Sequence, residues 1–75
     1  MTEYEQLAKA ILMATKAHEG QYDKGGKPYI LHPLHLMNQL MFDVQLATIA
    51  VLHDVVEDSD YTFDDLEGAG FSIRV

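Results

Sequence analysis

The residues of this chain best suited to chemistry are His53, Asp54, Glu57 and Asp58, all within one short stretch, LHDVVED. Glu57 stands three residues after Asp54 and four after His53, and Asp58 stands four after Asp54. On an α-helix that spacing spreads the four side chains over one face and the helix end. The stretch before them, LATIAVLHDVV, is apolar on nearly every side, so a histidine and a carboxylate inside it need a partner. A divalent cation is one such partner. A nitrogen and oxygen donor set without sulfur favours Mn²⁺, with Fe²⁺ or Zn²⁺ as alternatives. Spacing alone leaves a second reading open, a hydrogen-bonded structural pair beside a solvated acidic helix end. His32 carries the same two readings, as a ligand or as a helix-entry histidine bonded to local backbone. His18 and His35 read first as packing and surface residues.

Four helices are expected to position these groups. Thr2 and Glu5 have the spacing of a capping box. Tyr4, Leu7, Ala8, Ile11, Leu12, Thr15 and His18 then recur at helical steps, which predicts a first helix over roughly residues 3–19. Gly20 ends it. The segment QYDKGGKPY that follows is a loop by composition and carries Lys24 and Lys27 where they can reach a ligand. Pro33 suits the first turn of a second helix, with His32 at its entrance and Leu34, Met37, Leu40 and Met41 on its apolar side. Asp43 can cap a third, central helix from Val44 to about Glu57. Thr62 with Asp65 starts a short fourth helix that Gly68 or Gly70 closes, and Phe71 to Val75 read as the first turn of a further element. No alternating run supports a sheet, so the class is all-α.

Composition narrows the function. The 75 residues allow one core, and with no cysteine neither disulfide nor thiolate can staple it. Five basic residues against twelve acidic ones give a net charge of −7, which disfavours a DNA or RNA duplex as partner. Four of the basic residues precede residue 28, while seven acids crowd residues 54–67. No basic start precedes an apolar run, and no stretch approaches the roughly 18 apolar residues that a membrane span needs. The expectation is a soluble cytoplasmic protein.

In order and spacing, His18-Glu-Gly-Gln-Tyr-Asp-Lys24-Gly-Gly-Lys-Pro28-Tyr29-Ile-Leu-His32-Pro33, followed by Leu52-His53-Asp54-Val-Val-Glu57-Asp58, resembles the hydrolase domain of RelA/SpoT-type alarmone enzymes and their small relatives. The resemblance runs from about Ala8 onward. It implies a compact helical bundle of the HD-domain type that removes the 3′-pyrophosphate from ppGpp and pppGpp with manganese. It also implies that His32, His53 and Asp54 are metal ligands, that Glu57 and Asp58 orient and deprotonate the attacking water, and that Lys24 and Tyr29 contact the substrate. The sequence departs from the family pattern twice. Asp23 stands where alarmone hydrolases carry the first of two basic residues, and the family's fourth ligand, an aspartate in a later helix, has no counterpart. The expectation is therefore a single, partial HD domain over residues 1–75 in which four helices and the start of a fifth are present. Its exposed helix faces would be covered by self-association or by a partner protein. The alternative is a catalytically inactive HD module that binds a nucleotide or a partner.

Overall fold

The structure, a computed structural model, describes residues 2–71. Among them are four helices, α1 (Glu3–Ala17), α2 (Leu31–Gln39), α3 (Val44–Asp58) and α4 (Phe63–Gly68). Among the described residues there is no β-strand, only an isolated bridge between Tyr22 and Pro28. The expectation of an all-α fold holds. The expected further element over residues 72–75 lies outside the described residues.

Local chemistry explains each helix start. The Thr2 hydroxyl accepts from the Glu5 N–H at 3.1 Å, and the Glu5 carboxylate accepts from the Thr2 N–H at 3.2 Å, so two donors without intrahelical partners are satisfied reciprocally. Thr62 and Asp65 repeat the device at α4, with distances of 3.2 and 2.8 Å. Asp43 caps α3 by accepting from the Leu46 N–H at 3.2 Å. The entry to α2 has no side-chain cap. Instead the N–H groups of Leu31 and His32 donate to the Pro28 and Tyr29 carbonyls, and Pro33 has no N–H to satisfy. α1 stops at Ala17, two residues earlier than expected. His18 leaves the helical conformation, and Gly20 then takes φ 81°, a left-handed turn that glycine adopts without steric cost.

The core is one cluster. Ala10 and Ala14 of α1, Val51, Leu52 and Val55 of α3, Leu66 of α4 and Phe71 are buried together, with Met13, Met37 and Tyr61 packed around them. α3 is the central element, and α1 and α2 both pack on it. The sequence led us to expect it wrapped on nearly every side, and it is covered except along one arc and at its C-terminal end. Ala47, Thr48, Val51, Leu52 and Val55 form its buried face, whereas Leu46 is 40% exposed. At about 3.6 residues per turn, the arc through Leu46, His53 and Glu57 points away from α1 and α2.

Candidate metal and acid-base site

That geometry corrects the premise on which His53 first drew attention. Its side chain is 60% exposed and Glu57's is 61%, so the pair sits at the surface rather than inside an apolar helix. His53 Nδ1 lies 3.4 Å from Glu57 Oε2, the contact that an i, i+4 spacing allows. Asp54 is different. It falls seven residues, about two turns, after Ala47, which places it at the rim of the buried face. It is half-buried, and its Oδ2 is enclosed without a hydrogen-bond partner. An enclosed carboxylate oxygen left unpaired costs about 1–3 kcal/mol or more.

His53, Asp54 and Glu57 each present a ligand atom within 4.8 Å of the others. The expected ligands His53 and Asp54 are therefore together, but the third member is Glu57, placed beforehand with the water. His32 is not part of this group. It is exposed in the first turn of α2, its ring 5.8 Å from that of Tyr29. The donors that do converge fit a borderline-hard divalent ion. Two further observations agree with a cation here. Asp54 Oδ2 lacks a partner, and Glu57 and Asp58 occupy the last turn of α3, the negative end of its dipole, where the helix has no basic residue.

Asp58, also exposed, is held from two directions. The Tyr29 hydroxyl donates to its Oδ2 at 3.0 Å, and the Gln21 side-chain amide donates to its backbone carbonyl at 3.0 Å. The second bond satisfies one of the last carbonyls of α3, which has no intrahelical donor. Partial burial, then the bond to Asp58, then the negative charges of Asp58, Asp54 and Glu57 push the Tyr29 phenol up to about 12. It therefore stays protonated and donates. Tyr29, expected to meet substrate, spends its hydroxyl on the acid.

The loop explains Asp23. Its Oδ1 accepts from the N–H groups of Gly25 at 2.8 Å and Lys27 at 3.0 Å, while its backbone pairs with Lys27 and Gly26. One oxygen of the carboxylate is thus engaged in closing the turn. Lys24 is exposed at the tip of that turn. A separate open groove of about 480 Å³ is lined by Met13, Asp60, Tyr61, Asp65, Gly68 and Ala69. It contains none of the four acid-site residues, and the chemistry of side chains favours the end of α3 over it.

Gln21 is the residue that sequence reasoning missed. It read as one more polar loop residue, and only its position three residues after a helix-ending histidine could have marked it.

No family model matches the chain. Over 66 residues, 84% of its length, it is 39% identical to the guanosine-3′,5′-bis(diphosphate) 3′-pyrophosphohydrolase of Vibrio cholerae, of which the match covers 9%. It is 40% identical over 65 residues, 83% of its length, to the bifunctional (p)ppGpp synthase/hydrolase SpoT of Escherichia coli, again covering 9% of that protein. A GTP pyrophosphokinase of Streptomyces coelicolor is 39% identical over 81% of the chain and covered to 8%. The chain thus spans under a tenth of the length of these curated relatives, whose names include both synthesis and hydrolysis. Among the described residues no helix is long and apolar enough to cross a membrane. By sequence identity over most of its length, the chain is homologous to a short segment of RelA/SpoT-type proteins, and its motif order and all-helical fold are consistent with an HD-type piece of them.

Proposed function

We propose that the end of α3 is the working part of a metal-dependent phosphohydrolase that releases pyrophosphate from a nucleotide of the ppGpp kind. The observation that carries this reading is the convergence of His53, Asp54 and Glu57 within 4.8 Å at the negative end of a helix. The names of the relatives supply the substrate class. His32, His53 and Asp54 would hold the ion, with Glu57 beside them. Mn²⁺ suits the donors best, with Fe²⁺ or Zn²⁺ as substitutes. When bound, the ion supplies Lewis acidity, which acidifies water toward neutral pH and offsets the charge of a polyphosphate.

The chain's own residues do the rest. Glu57, exposed beside His53, would accept a proton from water as the water attacks phosphorus. Asp58, fixed by Tyr29 at one oxygen, orients that water with the other. Lys24 at the loop tip meets substrate phosphate and reduces its repulsion by a chain of net charge −7.

A second reading, a module that binds nucleotide or protein without turnover, is favoured by exposed apolar side chains such as Leu12 at 65% and Phe42 at 81%. Self-association over those side chains belongs to this reading. One assay divides the two. With Mn²⁺, the protein should release pyrophosphate from ppGpp, and the His53→Ala, Asp54→Ala double variant should not. Equal inactivity of both proteins would leave the binding module.

A further inference from the structure

His18 is 2% exposed and lies outside the chemistry described so far, yet both supports of Asp58 rest on it. The Gln21 amide nitrogen donates to the Ala17 carbonyl at 3.3 Å and to the Asp58 carbonyl at 3.0 Å. With both its hydrogens spent on carbonyls, its oxygen faces His18 Nδ1 at 3.0 Å and can only accept. Nδ1 must then carry the proton, and in the neutral ring Nε2 is left as an acceptor, enclosed and without a partner. The other face of the arrangement is aromatic. The His18 ring packs at 5.0 Å and 52° against the ring of Tyr29, whose hydroxyl reaches Asp58.

Asp58 is therefore gripped at its backbone by Gln21 and at its carboxylate by Tyr29. One buried histidine touches both, facing the Gln21 amide oxygen and packing against the Tyr29 ring. The Gln21 backbone tightens the unit, since its carbonyl accepts from the Tyr29 N–H at 2.9 Å and its N–H donates to the His18 carbonyl at 3.0 Å. A plain helix cap would need only the bond from Gln21 to Asp58. Here the same amide also reads the tautomer of a histidine packed against the tyrosine that holds the acid.

We propose that His18 and Gln21 are positioning residues, which fix Asp58 through Tyr29 and through the end of α3 so that its free oxygen faces the reacting water. The catalytic part of this assignment rests on the phosphohydrolase reading, whereas the positional part does not.

The test uses the intact chain, with Gln21→Leu and Tyr29→Phe as variants. In the wild type, heteronuclear NMR should find His18 as the Nδ1–H tautomer, and the Nε2–H tautomer would overturn the proposal even if no variant folds. The carboxyl carbon resonance of Asp58 should move in Gln21→Leu in the direction that Tyr29→Phe moves it. An Asp58 resonance unchanged in a folded Gln21→Leu protein would reduce Gln21 to a cap and overturn the proposal. If the wild type hydrolyses ppGpp, Gln21→Leu should lower kcat about 10- to 100-fold at constant KM, as loss of an orienting group does elsewhere. An unchanged kcat would overturn it. A wild type without activity would sink the phosphohydrolase reading and leave the two NMR results to decide the positional one.

Discussion

The start of α1 and the end of α3 treat their acids in opposite ways. At α1 the acids Glu3 and Glu5 lie at the positive end of the helix dipole, and Glu5 also closes a capping box with Thr2. At α3 the acids Glu57 and Asp58 lie at the negative end, with no basic residue in the last turn. The first arrangement satisfies every local preference at once. The second opposes the dipole and then needs Gln21 and Tyr29, from outside the helix, to hold it in shape. Acids that oppose the local electrostatics of their own helix, held by distant side chains, are explained by a cation or reacting group more readily than by stability. The comparison separates residues that build this fold from residues that use it.

The largest effect should come from Glu57→Gln, which keeps the shape of the side chain and removes its basicity. If Glu57 takes the proton, kcat for pyrophosphate release should fall by about 10² to 10⁴, with the urea midpoint nearly unchanged. A variant that retains full kcat would move the base to Asp58 and weaken the contrast between the two helix ends.

Tyr29 gives the next test. Below its ordinary pKa of 10.0 the phenol is protonated in both folded and unfolded chains, so whatever it contributes to stability is fully present. Between 10.0 and about 12 only the folded chain keeps the proton, so stability must fall as pH rises, and above about 12 the contribution is gone. Urea unfolding of the wild type and Tyr29→Phe should therefore give curves that converge across that window. Parallel curves would mean that the hydroxyl is not held by the acids at the end of α3.

At the other helix end, Thr2→Ala should cost about 1 kcal/mol and leave kcat untouched. Donation from the Thr2 backbone N–H, then from its side chain, holds the Glu5 carboxyl below its ordinary value of 4.5. The stability that Glu5 contributes is thus present above pH 4.5 and lost as pH falls through its lower, folded value. An effect of Thr2→Ala on kcat would show that the two ends are not independent.

What could be read from the sequence follows the same division. Three helix starts were legible in Thr2 with Glu5, Asp43 and Thr62 with Asp65, because a cap depends on residues within one turn. The grouping of His53, Asp54 and Glu57 was legible for the same reason, since helical spacing sets it. The exposure of His53 was not, because it depends on which sides of α3 the other helices cover. Whether His32 joins them was not legible either, because that depends on how α2 lies against α3. For Asp23 the sequence shows a departure from the family's basic residue but not that one of its oxygens closes a turn. Gln21 joins Ala17, His18 and Asp58 across 37 residues of sequence, a link that no local pattern announces.

The smallest effect on stability is the sharpest probe of the contrast. Glu57→Lys removes an acid from the negative end of α3 and puts a cation there, three residues from Asp54, where it can also pair with that carboxylate. In protein stripped of metal, this should raise stability by about 0.3–1 kcal/mol at low salt, and the gain should shrink as salt screens it. The same change removes the proposed proton acceptor, so the variant should be firmer and inactive. That combination would mark Glu57 as retained at a cost to the fold. If Glu57→Lys instead lowers the urea midpoint of the metal-free protein, its contact with His53 at 3.4 Å matters more to the helix than the dipole does. Glu57 would then belong with Thr2 and Glu5 among the builders, and the case for a cation at this end would rest on Asp54 alone.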